Sequence, residues 1–482
     1  MRLSEYVEYD ATGLASLVNA GEVTSMELTH LAREAYDEVN PLVNAVIEFY
    51  EDAEAVAGAD TGPFNGVPFL RKDIGASEAG RLQERGSRLF KGCRSDTDSY
   101  FFRRAWEAGL RTIGRTTTSE IAKTGMSESI LNGVTGNPWN LERSAGGSSG
   151  GAAAAVAAGI TPIAHASDGG GSIRNPASWC GLVGLKPSRA RVSGGPNSQD
   201  ASFGMSKNFV LCRTVRDMTA ALDVFSGPHP GDPFIIVQPD RPYVEELSKP
   251  TGTLRVGVAR TKWGALNLDP EVLQAVESTA VLLEEMGHKV TDIEPPYESA
   301  EYSALFRAST VLSARSLEDA AQATGRTINA DTLEPINLKL YEYGRNLNAF
   351  HAAGDQLEIL RRMRFRVGEA IHAFDILLTA TMPTLALPHG GIYCATNPTV
   401  SAEEFFKADA ALFQYTGVFN VTGQPAVSLP LAQSASGLPI GIQIVARFGD
   451  EATLVRVVRD LEEARPWRQR KAQVRAGSDN YL

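Results

Sequence analysis

The sequence predicts an α/β fold. Short apolar runs of strand length alternate with longer amphipathic stretches along most of the chain, and glycines or prolines punctuate the joins. With 482 residues, 43% of them hydrophobic and 21% charged, the chain has the composition of a soluble globular protein with a large core.

The elements follow in order. Thr24 and Glu27 form a capping-box pattern ahead of an apolar-periodic stretch that runs to about Val39, which predicts an amphipathic helix. Residues 1–60 are read as an N-terminal helical arm, and the turn at 60–66 leads into Val67-Pro68-Phe69-Leu70, where a single elaborated domain over 61–482 begins. A helix is predicted over 97–108, stopped by Gly109, then a strand over 110–113, an Ala-rich helix after Gly151 and a strand over 161–164. Further along come a strand at 254–259, a helix at 270–286 stopped by Gly287, and a strand at 289–293. The last third adds strands at 425–431 and 439–445 and a helix after Asp450. Prolines at 228, 230, 233, 239 and 242 make the stretch from 227 to 250 an irregular surface connection.

The bulk properties narrow the function. A net charge of −11 with no long basic run excludes general nucleic-acid binding, because phosphate contacts need a surplus of Lys and Arg. No apolar run is long enough to cross a membrane and the N-terminus lacks a signal pattern, so a cytoplasmic protein is expected. Cys93, Cys180, Cys212 and Cys394 are scattered without metal spacing; neither a metal nor an organic cofactor is expected. The amphipathic arm offers a face to a second copy, which points to a homodimer.

The chemistry concentrates in two Gly-Ser loops. Gly146-Gly147-Ser148-Ser149-Gly150-Gly151 precedes a small-residue helix, which gathers backbone N–H groups and the positive helix end at one spot. A phosphate loop would need a Lys followed by Ser or Thr after the glycines, and neither loop supplies it. The same segment contains G-x-S-x-G, which in a nucleophile elbow would make Ser148 the nucleophile, but no downstream histidine stands in a context that would complete that triad. The second loop is Ser167-Asp168-Gly169-Gly170-Gly171-Ser172-Ile173-Arg174. Three successive glycines allow a sharp turn that exposes consecutive N–H groups, an oxyanion hole, beside the Ser172 hydroxyl. One helix and one returning strand separate the loops, so both can meet at one end of the sheet. A serine needs a base, and Lys72, at the end of an apolar strand-like run, is a candidate if burial brings its amine toward neutrality.

Together with these segments, Gly66-Val67-Pro68, Gly114-Arg115-Thr116, Gly136-Asn137-Pro138-Trp139-Asn140, the run from Cys180 to Pro187, Phe419-Asn420-Val421-Thr422-Gly423-Gln424-Pro425 and Gly437-Leu438-Pro439-Ile440-Gly441-Ile442-Gln443 resemble the amidase signature family, in order, from about residue 60 to 447. The resemblance implies that family's fold, a large mixed twisted β-sheet covered by helices on both faces, and hydrolysis of an amide-type C–N bond by a Ser-cisSer-Lys triad. It implies Ser172 as nucleophile, Ser148 as the relay on a cis peptide and Lys72 as base. The N–H groups of Gly169, Gly170 and Gly171 become the oxyanion hole, with Ser149, Asp168 and Arg174 in support. His165, beside the second loop, is read as structural. A small-molecule amide is the implied partner, and the region around 226–243 is similar to bacterial amidases of the 6-aminohexanoate cyclic dimer hydrolase type, acting on xenobiotic amides, anilides or carbamates. The alternative within the family is the glutaminase-type subunit of a tRNA-dependent amidotransferase, from whose pattern Arg191-Val192-Ser193-Gly194 departs. An acyl pocket is expected from 304–344 together with the loop at 121–126.

Overall fold

A computed structural model describes residues 1–56, 58–198 and 202–478. Its core is an eleven-stranded sheet. In chain order the strands are β1 (Val46–Phe49), β2 (Pro68–Lys72), β3 (Arg111–Thr116), β4 (Ile163–Asp168), β5 (Val183–Lys186), β6 (Lys207–Cys212), β7 (Arg255–Val258), β8 (Lys289–Asp292), β9 (Ile376–Ala380), β10 (Ala426–Gln433) and β11 (Pro439–Ala446). Their spatial order is β1-β3-β2-β4-β6-β5-β10-β11-β9-β7-β8. The sheet is mixed: β2 runs parallel to both β3 and β4, and β7 parallel to β8 and β9, while the remaining pairs are antiparallel.

Every residue of β2, β3, β4, β9 and β11 is buried, so these strands are covered on both faces, which is why they read as continuous apolar runs instead of alternating ones. The helices that cover the sheet and its ends are α1 (Ala11–Asn19), α2 (Ser25–Val43), α3 (Tyr100–Glu107), α4 (Gly150–Ala157), α5 (Arg174–Cys180), α6 (Val215–Phe225), α7 (Pro270–Glu285), α8 (Ser299–Thr324), α9 (Pro335–Asn346), α10 (Ala349–Ile371), α11 (Ala402–Leu412), α12 (Gly417–Thr422) and α13 (Glu451–Ala464). The Thr24–Glu27 box caps α2 as the sequence predicts, with both reciprocal hydrogen bonds made. The arm is not helical throughout: β1 lies within it and forms the edge strand beside β3. The stretch from 227 to 250 carries one short 3₁₀ turn, Tyr243–Ser248.

Two connections position the site. α4 joins the first Gly-Ser loop to β4, and it lies so close to the sheet that a methyl group on Gly151 would sit 2.3 Å from the Thr117 hydroxyl. Parallel pairing of Leu70 with Ala164 sets the end of β2 beside the end of β4, and thereby Lys72 beside Ser167.

Candidate active site

Lys72 closes β2 with its side chain fully buried. Its amine lies 2.8 Å from the Ser148 hydroxyl, 2.8 Å from that of Ser149 and 3.0 Å from that of Ser167. Burial lowers its pKa to about 7, and only the negative charge of Asp168 pulls the other way. Three hydroxyls suit a neutral amine, which has two hydrogens to donate and one lone pair to accept with. Ser149 donates its own proton to the Ser167 carbonyl at 3.1 Å, so its oxygen must accept from Lys72. That commits one amine hydrogen; with the second on Ser167, the lone pair faces Ser148.

The Gly147–Ser148 peptide is cis. Its surroundings hold the turn: the Ser127 hydroxyl donates to the Ser148 carbonyl at 3.1 Å and accepts from the Gly150 amide at 2.8 Å. The Asn175 amide donates to the carbonyls of Gly125 and Gly147. Neither Ser127 nor Asn175 emerges from the sequence as a positioning residue. A serine between two recognisable blocks carries no pattern, and its partner becomes visible only when the two loops meet.

The second loop leaves β4 at Asp168 and enters α5 at Arg174. Both side chains are fully buried and form a bidentate pair at 2.9 Å for each bond. Burial alone would raise the Asp168 carboxyl, but Arg174, with Asn420 and Lys186, brings it down to about 2. Asp168 also accepts from the Ile173 amide, and Arg174 reaches on to the Thr416 carbonyl, Gln443 and Asn420. Gly171 has φ 146°, and a methyl group there would strike the Thr416 hydroxyl at 2.6 Å and the Phe413 ring at 2.7 Å.

Ser172 is half-buried, and its hydroxyl has no hydrogen-bond partner among the described residues. The same holds for the N–H groups of Gly169, Gly170, Gly171 and Ser172, which are thus open to an incoming oxygen. Lys72, Ser148 and Ser149 are joined directly; Ser172 stands outside that hydrogen-bonded group. His165 accepts from the Lys72 amide N–H and pairs with Asn208; burial lowers its pKa to about 3, so it is a neutral packing residue.

Residues 27–455 match the amidase family profile. The chain belongs to the amidase signature family. As such it is a hydrolase of amide C–N bonds. A 6-aminohexanoate-cyclic-dimer hydrolase of Paenarthrobacter ureafaciens is 38% identical to this amidase over 478 residues, 96% of each chain. The solved structure of a 6-aminohexanoate cyclic dimer hydrolase with substrate superimposes with a TM-score of 0.90 at 36% identity, covering 97% of this amidase and 99% of that chain. The amidase-type chain of a glutamyl-tRNA(Gln) amidotransferase from Synechococcus is 31% identical, covering 93% of this amidase and 94% of the relative.

The middle of the chain departs from its expected role. The start of α8 reaches the nucleophile loop: a methyl group on Gly170 would meet the Tyr302 hydroxyl at 3.1 Å. The loop at 121–126 faces the Phe413 ring, 2.8 Å from a methyl group placed on Gly125. Thus α11 and its C-terminal Phe413, outside the expected 304–344 stretch, also flank Ser172. An open groove of about 470 Å³, bordered by Ala304, Arg307, Tyr343, His351 and Arg362, runs along α8, α9 and α10, and none of Lys72, Ser148 or Ser172 borders it.

Proposed function

We propose that this amidase cleaves carboxylic amides through an acyl-enzyme on Ser172, with Lys72 as base and Ser148 as relay. The observation that carries the reading is the buried Lys72 amine, close to neutral at pH 7, with its lone pair directed by Ser149 and Ser167 onto Ser148. Ser172 Oγ attacks the carbonyl carbon as its proton passes to Ser148 and that of Ser148 to Lys72. The carbonyl oxygen, now anionic, takes hydrogen bonds from the free N–H groups of the 169–172 stretch. Return of the proton through Ser148 to the leaving nitrogen breaks the C–N bond. Water, deprotonated by the same route, then releases the acid.

The substrate class we favour is a neutral aliphatic amide of the aminohexanoate type, linear or cyclic, supported by near full-length similarity to cyclic-dimer hydrolases. The amidotransferase reading is the weaker one, its relative being the less similar. A fluorophosphonate probe tests the nucleophile: it is expected to label Ser172 stoichiometrically in the folded protein and to leave S172A unlabelled. Labelling at Ser148 instead would overturn the assignment.

A further inference from the structure

Three elements converge beside Ser172: the loop carrying Lys123, the start of α8 with Tyr302 and Phe306, and α11 with its cap Phe413. Asp409 lies one turn before Phe413 on α11 and is 8% exposed. Its carboxylate accepts no hydrogen bond and closes no ion pair among the described residues, although buried carboxylates are nearly always satisfied. The charge it feels most is that of Lys123, and it bears in turn on the Tyr302 hydroxyl, the group that stands over Gly170. Lys123 donates to the Ser313 hydroxyl at 2.9 Å and rests against the Phe306 ring, leaving two of its three donors unassigned. Burial lowers the Lys123 amine and pushes Asp409 up to about 7. An opposite pair that is buried, mutually sensed and yet separated leaves room for a group with one donor and one acceptor.

We propose that Lys123 and Asp409 bind a second amide of the substrate, Lys123 donating to its carbonyl oxygen and Asp409 accepting from its N–H. This makes the pair a specificity determinant for diamides, and it rests on Ser172 being the site of acyl transfer. A secondary amide is the neutral group whose acceptor and donor match a separated cation and anion, and a purely aliphatic chain would leave both unpaired. Discrimination of this kind is strong, because a site built to hydrogen-bond a group rejects the analogue lacking it.

The test compares the p-nitroanilide of N-acetyl-6-aminohexanoic acid, which carries the second amide, with that of nonanoic acid, which has the same chain length without it. At pH 8 the wild type is expected to favour the diamide in kcat/KM by at least about tenfold. D409N and K123Q are each expected to bring the ratio close to one, with the nonanoyl rate within about twofold of wild type. Fluorophosphonate labelling of Ser172 is expected to stay at the wild-type rate in both. K123Q reads the proposal independently should D409N fail to fold. The p-nitroanilide of free 6-aminohexanoic acid separates an amide from an ammonium: if it is the preferred substrate and loses its preference in D409N, the second-amide assignment is overturned. A wild-type ratio near one, or variants that slow both anilides equally while lowering Tm, assigns the pair to a bridging solvent molecule only and overturns the proposal. Absence of labelling and of hydrolysis of either anilide in the wild type overturns the serine-hydrolase reading instead.

Discussion

At the scale of single residues, the base is created by what surrounds it. A lysine at a strand end, followed by an aspartate, has the pattern of a surface ion pair, and nothing in the local sequence separates the two cases. In the fold Asp73 turns away to Arg115, while Lys72 is enclosed by β4 and the first Gly-Ser loop. The role of Lys72 was therefore legible only through its family resemblance, and its burial only in three dimensions. Ser149 illustrates the same limit, since its task depends on the Ser167 carbonyl. A pH profile follows. The neutral amine is the active form and its pKa is lowered to about 7, so acylation is expected to rise as pH increases through about 7 and to level off above it. Asp168 and His165, at about 2 and about 3, titrate outside that window. K72A is expected to lose the limb and about 10²–10⁴-fold in acylation rate, read by stopped-flow release of p-nitroaniline, with a near-normal melting temperature. A retained limb in K72A would assign it to another group.

At the scale of elements, the nucleophile loop is fixed from far along the chain. Arg174 joins Asp168 at the end of β4 to Thr416 ahead of α12, Asn420 within it and Gln443 on β11. Asn420 also donates to the Asp168 carboxylate and carbonyl, so the loop is held from both sides. Removing one partner of a buried pair leaves the other charge uncompensated, and R174M is expected to destabilise the protein by about 3–5 kcal/mol. Urea denaturation measures this as a fall in midpoint at unchanged m. A midpoint within error of wild type would show that the loop does not depend on the pair. Asn420 and Gln443 lie in blocks that are legible as family motifs, so their positions were in hand before their partners were. The strands β1, β6 and β9 were not, because a short buried apolar run has no period that distinguishes strand from helix. Nor was the part played by α11, where Asp409 and Phe413 have the spacing of any helix face.

At the scale of the whole molecule, the N-terminal arm and the C-terminal helix meet at one group of carboxylates. Asp217 on α6 accepts from the amides of Ala11 and Thr12 at the start of α1, and Asp10 pairs with Arg216. Glu462 on α13 accepts from the Val215 amide, so residues near both ends of the chain bear on the same turn of α6. Burial raises Glu462 to about 7, and the neighbouring charges of Asp10 and Asp217 add to the shift. In the unfolded chain a glutamate titrates at about 4.3. The folded state thus holds this proton more tightly than the unfolded one. Its contribution to stability is complete below pH ~4.3 and is lost as pH rises through about 7. A glutamine at this position can keep its carbonyl on the Val215 amide without carrying the charge. E462Q is therefore expected to raise the melting temperature at pH 8 by roughly 1–3 °C and to change it little at pH 4.5. Calorimetry at the two pH values reads the difference directly, and an equal shift at both would trace the effect to packing of the side chain, with no part for its ionisation.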